Sequence, residues 1–182
     1  MTARNTTERY GSIAQALHWT IVGLLIVQFT LGTIAEDLPN GLDKLVVLAR
    51  HKSFGITILA LALLRLAWRL FDRPPPLPPM PGWQAATARM SHISLYALLF
   101  AMPLTGWTMS SASNYPVSWF SLVQLPDLVA PDPALKETLH EVHETLSKIL
   151  LALAGLHVAA ALKHQFFNRD GLMFRMLPWR PR

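Results

Sequence analysis

Long apolar runs alternate with short polar connectors along the chain. Ser12 to Ala35 and Met90 to Ala112 contain no charged residue. Each reaches the roughly 20 residues a helix needs to cross a hydrocarbon core about 30 Å thick. Ser53 to Leu64 and Ile149 to Leu162 are uncharged but shorter. Arg50, Lys52, Arg65 and Arg69 flank the first of these, and Lys148 and Lys163 flank the second. Stems of that length reach the headgroups from within a span. The pattern predicts an all-α integral membrane four-helix bundle. It forms a single transmembrane domain over 1–182, with helices at about 12–35, 45–71, 88–112 and 134–167.

The connectors have their own character. DRPPPLPPMPGW, residues 72–83, is proline-dense and predicts a stiff, extended link with no helix. The longer stretch from Ser110 to Pro133 is apolar and aromatic, and Tyr115, Trp119 and Phe120 suit a segment folded back onto the membrane interface. Asp132 then offers an N-cap, with Pro133 at the first helical position. FFNRDGLMFRMLPWRPR at the C-terminal end alternates apolar and basic residues, as an interfacial segment does on an anionic leaflet.

Composition sharpens this picture. In 182 residues the hydrophobic share is 52% and the mean hydropathy +0.31, too high for an ordinary soluble domain. The net charge of +5 is unevenly spread. Eleven basic residues fall at the N-terminus, between helices two and three, and at the C-terminus, against five in the other two connectors. The positive-inside rule then places both termini in the cytoplasm. The positive charge thus describes a membrane topology, with lipid as the partner and no nucleic acid. The first apolar run lacks a short h-region with a small-residue cleavage site, so no cleavable signal peptide is expected. No cysteine is present, which excludes disulfides, thiolate nucleophiles, cysteine-ligated clusters and covalent haem attachment. Metal chemistry must rest on histidine.

Four of the seven histidines lie in LHEVHETLSKILLALAGLHVAAALKH, residues 139–164. His143 and His157 are fourteen residues apart, which returns to within about 40° of one helix face after a climb of about 21 Å. His18 opens the first helix on the cytoplasmic side and His51 the second on the outer side. Each membrane level therefore holds one histidine from helix four and one from an earlier helix. Such pairs suit six-coordinate haem, clamped between two axial imidazoles and open to electron transfer. Gly55 and Gly155 keep the neighbouring helix surfaces thin, and Arg50, Lys52, Arg9 and Lys163 are available for propionates. A proton path or a divalent-metal transporter would also use histidines, but usually adds intramembrane carboxylates, and the four spans have none. His92 opens helix three and competes with His18 as a ligand or supports the same pocket. His140 sits one turn before His143. His164 lies at the cytoplasmic end, where a quinone headgroup can accept its hydrogen bond. A plain structural role stays open for each of these three.

The chain resembles the bacterial cytochrome b561 group of four-helix dihaem proteins, relatives of the cytochrome b subunits of membrane hydrogenases and formate dehydrogenases. RYGSIAQALHW, ARHKSFGITILALALLRLAWRL, SHISLYALLFAMPLTGW and the histidine-rich stretch with its QFFNRDGLMFRMLP continuation carry the resemblance. It implies two haem b groups, one held by His18 with His157 on the cytoplasmic side and one by His51 with His143 on the outer side. It further implies a superoxide oxidase, taking electrons from superoxide at the periplasmic face and reducing ubiquinone near His164. A cytochrome b subunit serving a periplasmic redox protein is the alternative, and a non-redox metal or proton transporter is the alternative of another class. The outer side carries eight acidic residues against five basic, a poor field for an anion unless Arg50 and Lys52 dominate locally. Ser121 follows Trp119-Phe120 where the family's outer loop leads one to expect glycine.

Overall fold

The computed structural model describes residues 2–179. Arg180 and Arg182, which enter the cytoplasmic charge count, lie outside the described residues. Four long helices follow one another: α1 (Ser12–Asp37), α2 (Leu42–Phe71), α3 (Gly82–Ala112) and α4 (Pro133–Lys163). Each is long and apolar enough to cross a membrane.

The helix starts differ from the sequence expectation in an instructive way. α2 begins three residues earlier than position 45, and α3 six residues earlier than position 88. Gly82 and Trp83, at the end of the proline-dense connector, are therefore helical. The lipid boundary limits how far hydropathy can report, whereas the helix itself continues into water until a backbone break stops it. Pro81 supplies that break for α3, and its carbonyl accepts the amides of Gln84 at 2.9 Å and Ala85 at 3.2 Å. At α4 the signal is local: Asp132 accepts from the amides of Ala134 at 2.9 Å and Leu135 at 3.0 Å, with Pro133 at the first turn.

α1 packs on α2, α2 on α3, and α3 on α4; α4 makes no comparably close backbone contact with α1 or α2. That side of the bundle holds side chains rather than interlocked backbones. The surface is apolar, with Ile26 and Leu156 each 65% exposed, while Gln15, Ser53, Ser110 and Ser111 are buried. This reverses the order of a soluble domain and suits a lipid surround.

The loop after α3 forms a two-stranded antiparallel hairpin, β1 (Ser118–Trp119) and β2 (Val123–Gln124). It lies back against α2, as its aromatic composition suggests. The Ser53 hydroxyl donates to the Ser118 carbonyl at 3.2 Å and accepts the Phe120 amide at 3.0 Å. The Trp119 indole donates to Thr57 at 3.0 Å. Phe120 and Ser121 occupy the turn with φ of 47° and 60°, a left-handed pair that glycine or asparagine adopts most easily. Hence the expectation of glycine at Ser121 had a backbone reason, and this chain holds the conformation without it. At the other end, a π-helical turn (His164–Asn168) extends α4, and Arg169 in the left-handed region ends it. The C-terminal segment returns to the N-terminal one: Arg9 donates to the Leu177 carbonyl at 2.7 Å, and the Tyr10 amide to the Arg175 carbonyl at 3.1 Å.

Candidate functional site

Two histidine pairs face one another across the side of the bundle where α4 stands off from α1 and α2. His51 on α2 meets His143 on α4 with ring centroids 6.3 Å apart and planes at 68°. His18 on α1 meets His157 on α4 at 6.4 Å and 76°. No hydrogen bond joins either pair.

These distances discriminate between arrangements. A direct N–H···N hydrogen bond of about 3.0 Å would bring the centroids to a little over 5 Å. Two imidazole–metal bonds of about 2.0 Å each, with a ring radius of about 1.2 Å at either end, give about 6.4 Å. Edge-to-face ring contacts span about 4.5–7 Å, so one such value would say little. Two pairs at different depths agreeing within 0.1 Å say more.

The outer pair is closely fitted. The Thr105 hydroxyl donates its single proton to the Met102 carbonyl at 2.9 Å. Toward Nδ1 of His143, 3.0 Å away, it can therefore only accept. That places the ring proton on Nδ1 and leaves the Nε2 lone pair free, the form that ligates a metal. Glycines stand beside both rings. A Cβ at Gly106 would lie 3.2 Å from Cε1 of His143, and one at Gly32 3.5 Å from Cε1 of His51. Nδ1 of His51 is buried without a hydrogen-bond partner. Lys52 reaches the Tyr115 carbonyl at 3.3 Å.

The inner pair has different company. His92 on α3 stacks edge-on to His157 at 5.5 Å, and Trp19 to His18 at 5.1 Å. Arg65 on α2 donates from Nη1 to Nδ1 of His18 at 2.7 Å and from Nε to the Tyr96 hydroxyl at 3.0 Å. Arg69, one turn on, lies over the Tyr96 ring at 5.8 Å. Thus His92 joins the inner cluster at the level of His157, next to His157 rather than His18.

His164 stands apart, at the C-terminal end of α4. Its Nδ1 lies 2.5 Å from Oδ2 of Asp170 and 3.1 Å from the Asn168 amide. Burial pushes the Asp170 carboxyl up, but hydrogen bonds from His164, the Leu172 amide and Asn168 outweigh it and hold the group below the usual carboxylate range. A cavity of about 420 Å³ adjoins this turn, lined by Gln165, Phe166, Arg169, Gly171 and Phe174. Among the described residues no three histidine, aspartate or glutamate side chains converge as a metal site. The pairs therefore suit a metal that brings its other ligands with it.

Comparison with known proteins decides the family. A family model described as prokaryotic cytochrome b561 matches residues 9–179. The chain belongs to that family. It is similar to cytochrome b561 homolog 2 of Escherichia coli K12, with 34% identity over 97% of this chain and 95% of the relative. Cytochrome b561 homolog 1 of the same organism is 28% identical over 94% of this chain and 98% of its own length. A probable superoxide oxidase, CybB, of Yersinia pestis is 26% identical over 94% and 97%. Membership makes this chain a multi-pass protein of the bacterial inner membrane that transfers electrons, and it implies haem b. This favours the redox readings over the transporter reading.

The residues present fit a b-type haem: paired imidazoles at metal-bridging distance, glycines beside the outer rings and a cationic group beside the inner ones. Several of these features escaped the sequence reading. Gly32 and Gly106 stand against the His51 and His143 rings, while a Cβ at Gly55 would meet Gln28 and one at Gly155 nothing within 4 Å. Arg9, expected near a propionate, is held by the C-terminal segment, and Arg65, read as a flanking charge, lies in the inner cluster. The signal for Arg65 was available: it follows His51 by fourteen residues, the same step that separates His143 from His157.

Proposed function

We propose that this chain is a dihaem electron carrier that oxidises superoxide at the periplasmic face and reduces ubiquinone at the cytoplasmic face. The supporting observation is the pair of equally spaced histidine couples, two helical levels apart on one face of α4. His51 with His143 would hold the outer haem b and His18 with His157 the inner one, with both termini in the cytoplasm as the basic residues indicate. Bound there, haem b would supply reversible one-electron chemistry, with the paired histidines as the residues that would hold it. The balanced reaction consumes two superoxide ions, one ubiquinone and two protons, and yields two dioxygen molecules and one ubiquinol.

The side chains have distinct tasks. Thr105 fixes the tautomer of His143. His92 supports the inner pair as a neighbour of His157, a secondary ligand candidate. Lys52 provides positive charge at the outer level, near the loop that carries the hairpin. His164 donates to the quinone carbonyl, and Asp170 beside its Nδ1 orients the ring.

The acidic balance of the outer connectors favours a second reading, in which a periplasmic redox protein docks there as electron donor. Rapid mixing with superoxide separates the two. Reduction of the haem band well above the rate of spontaneous dismutation, with stoichiometric ubiquinol, supports the first. Reduction no faster than dismutation rejects it in favour of the partner protein.

A further inference from the structure

Arg65 stands against one member of the inner pair, His18. A guanidinium only donates, so the 2.7 Å contact from Arg65 makes Nδ1 of His18 the acceptor and places the ring proton on Nε2. Ligation through Nε2 demands the reverse: a lone pair on Nε2 and the proton on Nδ1, which can no longer accept from arginine. The two states exclude each other. A ring that ligated through Nε2 would carry its proton on Nδ1, and the Arg65 guanidinium would then turn to another acceptor.

A guanidinium released inside the bundle needs an anion. Among the described residues no carboxylate lies within ion-pair distance of Arg65. Its remaining partner is the neutral Tyr96 hydroxyl, whose ring it also covers at 5.7 Å. The side chain is also placed for the task. Along α2 it occupies the same face as His51, fourteen residues on, so it stands one level down where the outer level has a ligand. The Trp68 indole N–H, on the next turn of α2, is buried without a partner.

We propose that Arg65 is the carboxylate anchor of the inner haem site: its guanidinium, beside His18 and Tyr96 and without an ion-pair partner among the described residues, would pair with a propionate. This rests on the dihaem reading. It adds Arg65 to the basic residues that the sequence offers for propionates.

The test uses the full-length protein in detergent, loaded with haem b or with haem b dimethyl ester, whose carboxylates are capped. Haem per chain and midpoint potentials are read by spectroscopic titration, with His51→Ala and His18→Ala proteins assigning the outer and inner centres. In the unsubstituted protein, esterification should weaken inner-site loading at least tenfold and leave the outer site little changed. Arg65→Gln should load the outer haem normally, load the inner one at least tenfold more weakly and abolish the ester difference; Arg65→Lys should restore much of the loading. An Arg65→Gln protein with two haems, unchanged potentials and the full ester penalty overturns the proposal. If Arg65→Gln loses both haems, the ester comparison in the unsubstituted protein decides, and equal inner loading of both forms overturns the proposal. A single haem in the unsubstituted protein would instead remove the dihaem reading itself.

Discussion

The outer and inner histidine pairs share a spacing and differ in what holds the imidazoles. At the outer level a neutral threonine sets His143 as a ligand-ready ring, glycines pack beside both imidazoles, and a hairpin pinned to Ser53 lies over α2. At the inner level an arginine holds His18 in the opposite tautomer, and a third histidine stands beside His157. One level is preorganised and the other is poised. Preorganised sites need no rearrangement before binding, so the outer haem should load first and more tightly.

The contrast is broken most severely by removing a ligand from one level. His143→Ala should cut superoxide-driven quinol formation by at least a hundredfold and leave no fast reduction of the remaining haem band. His157→Ala should lose quinol formation equally but retain a fast bleach on mixing with superoxide. Stopped-flow absorbance reads both. If either variant reduces quinone normally, the two levels are not in series.

Next in size is steric. With a Cβ at Gly106 only 3.2 Å from His143, Gly106→Val would force the ring to move, and overpacking of this kind costs about 1–3 kcal/mol. Outer-haem occupancy should fall severalfold while the inner haem stays. Gly32→Ala, at ordinary contact distance, should be nearly silent. Haem content of the purified variants decides, and equal effects at both glycines would contradict a close fit at His143.

Much of the fold could be read from the chain because its determinants are local. Uncharged length marks the spans, and Asp132-Pro133 announces the start of α4. The histidine pairs were legible because fourteen residues is a property of one helix. What stayed hidden depends on chain segments meeting. Arg65 looks like a flanking charge until Tyr96 and His18 arrive from other helices, and Gly32 and Gly106 acquire a role only when an imidazole lies against them. The His164–Asp170 contact needs the chain reversal at Arg169, where φ is 52°. The starts of α2 and α3 lie beyond the lipid, where hydropathy no longer reports.

Smaller effects sharpen the comparison. Thr105→Val removes one hydrogen bond to His143, worth about 1 kcal/mol, which for a one-electron couple is about 40 mV. The outer potential should shift by up to that amount and the inner by far less, as redox titration would show; equal shifts would deny Thr105 a site-specific role. The smallest effect concerns Asp170. Its carboxyl is held below the ordinary range, so its contribution to the C-terminal turn is fully present above about pH 4 and is lost as pH falls through its depressed folded value. Asp170→Asn should therefore slow quinone reduction a few-fold at neutral pH, without changing haem content or the potentials. A neutral-pH rate equal to that of the unsubstituted protein would remove Asp170 from quinone chemistry.

The central claim is that two histidine pairs hold two haems. The most direct measurement is the haem-to-polypeptide ratio and low-spin bis-imidazole spectrum of the purified protein, repeated with His18, His51, His143 and His157 each replaced by alanine. Two haems in the unsubstituted protein are expected, with one lost in each variant: the inner for His18 and His157, the outer for His51 and His143. A single haem in the unsubstituted protein, or two haems retained after any one of these replacements, would contradict the account.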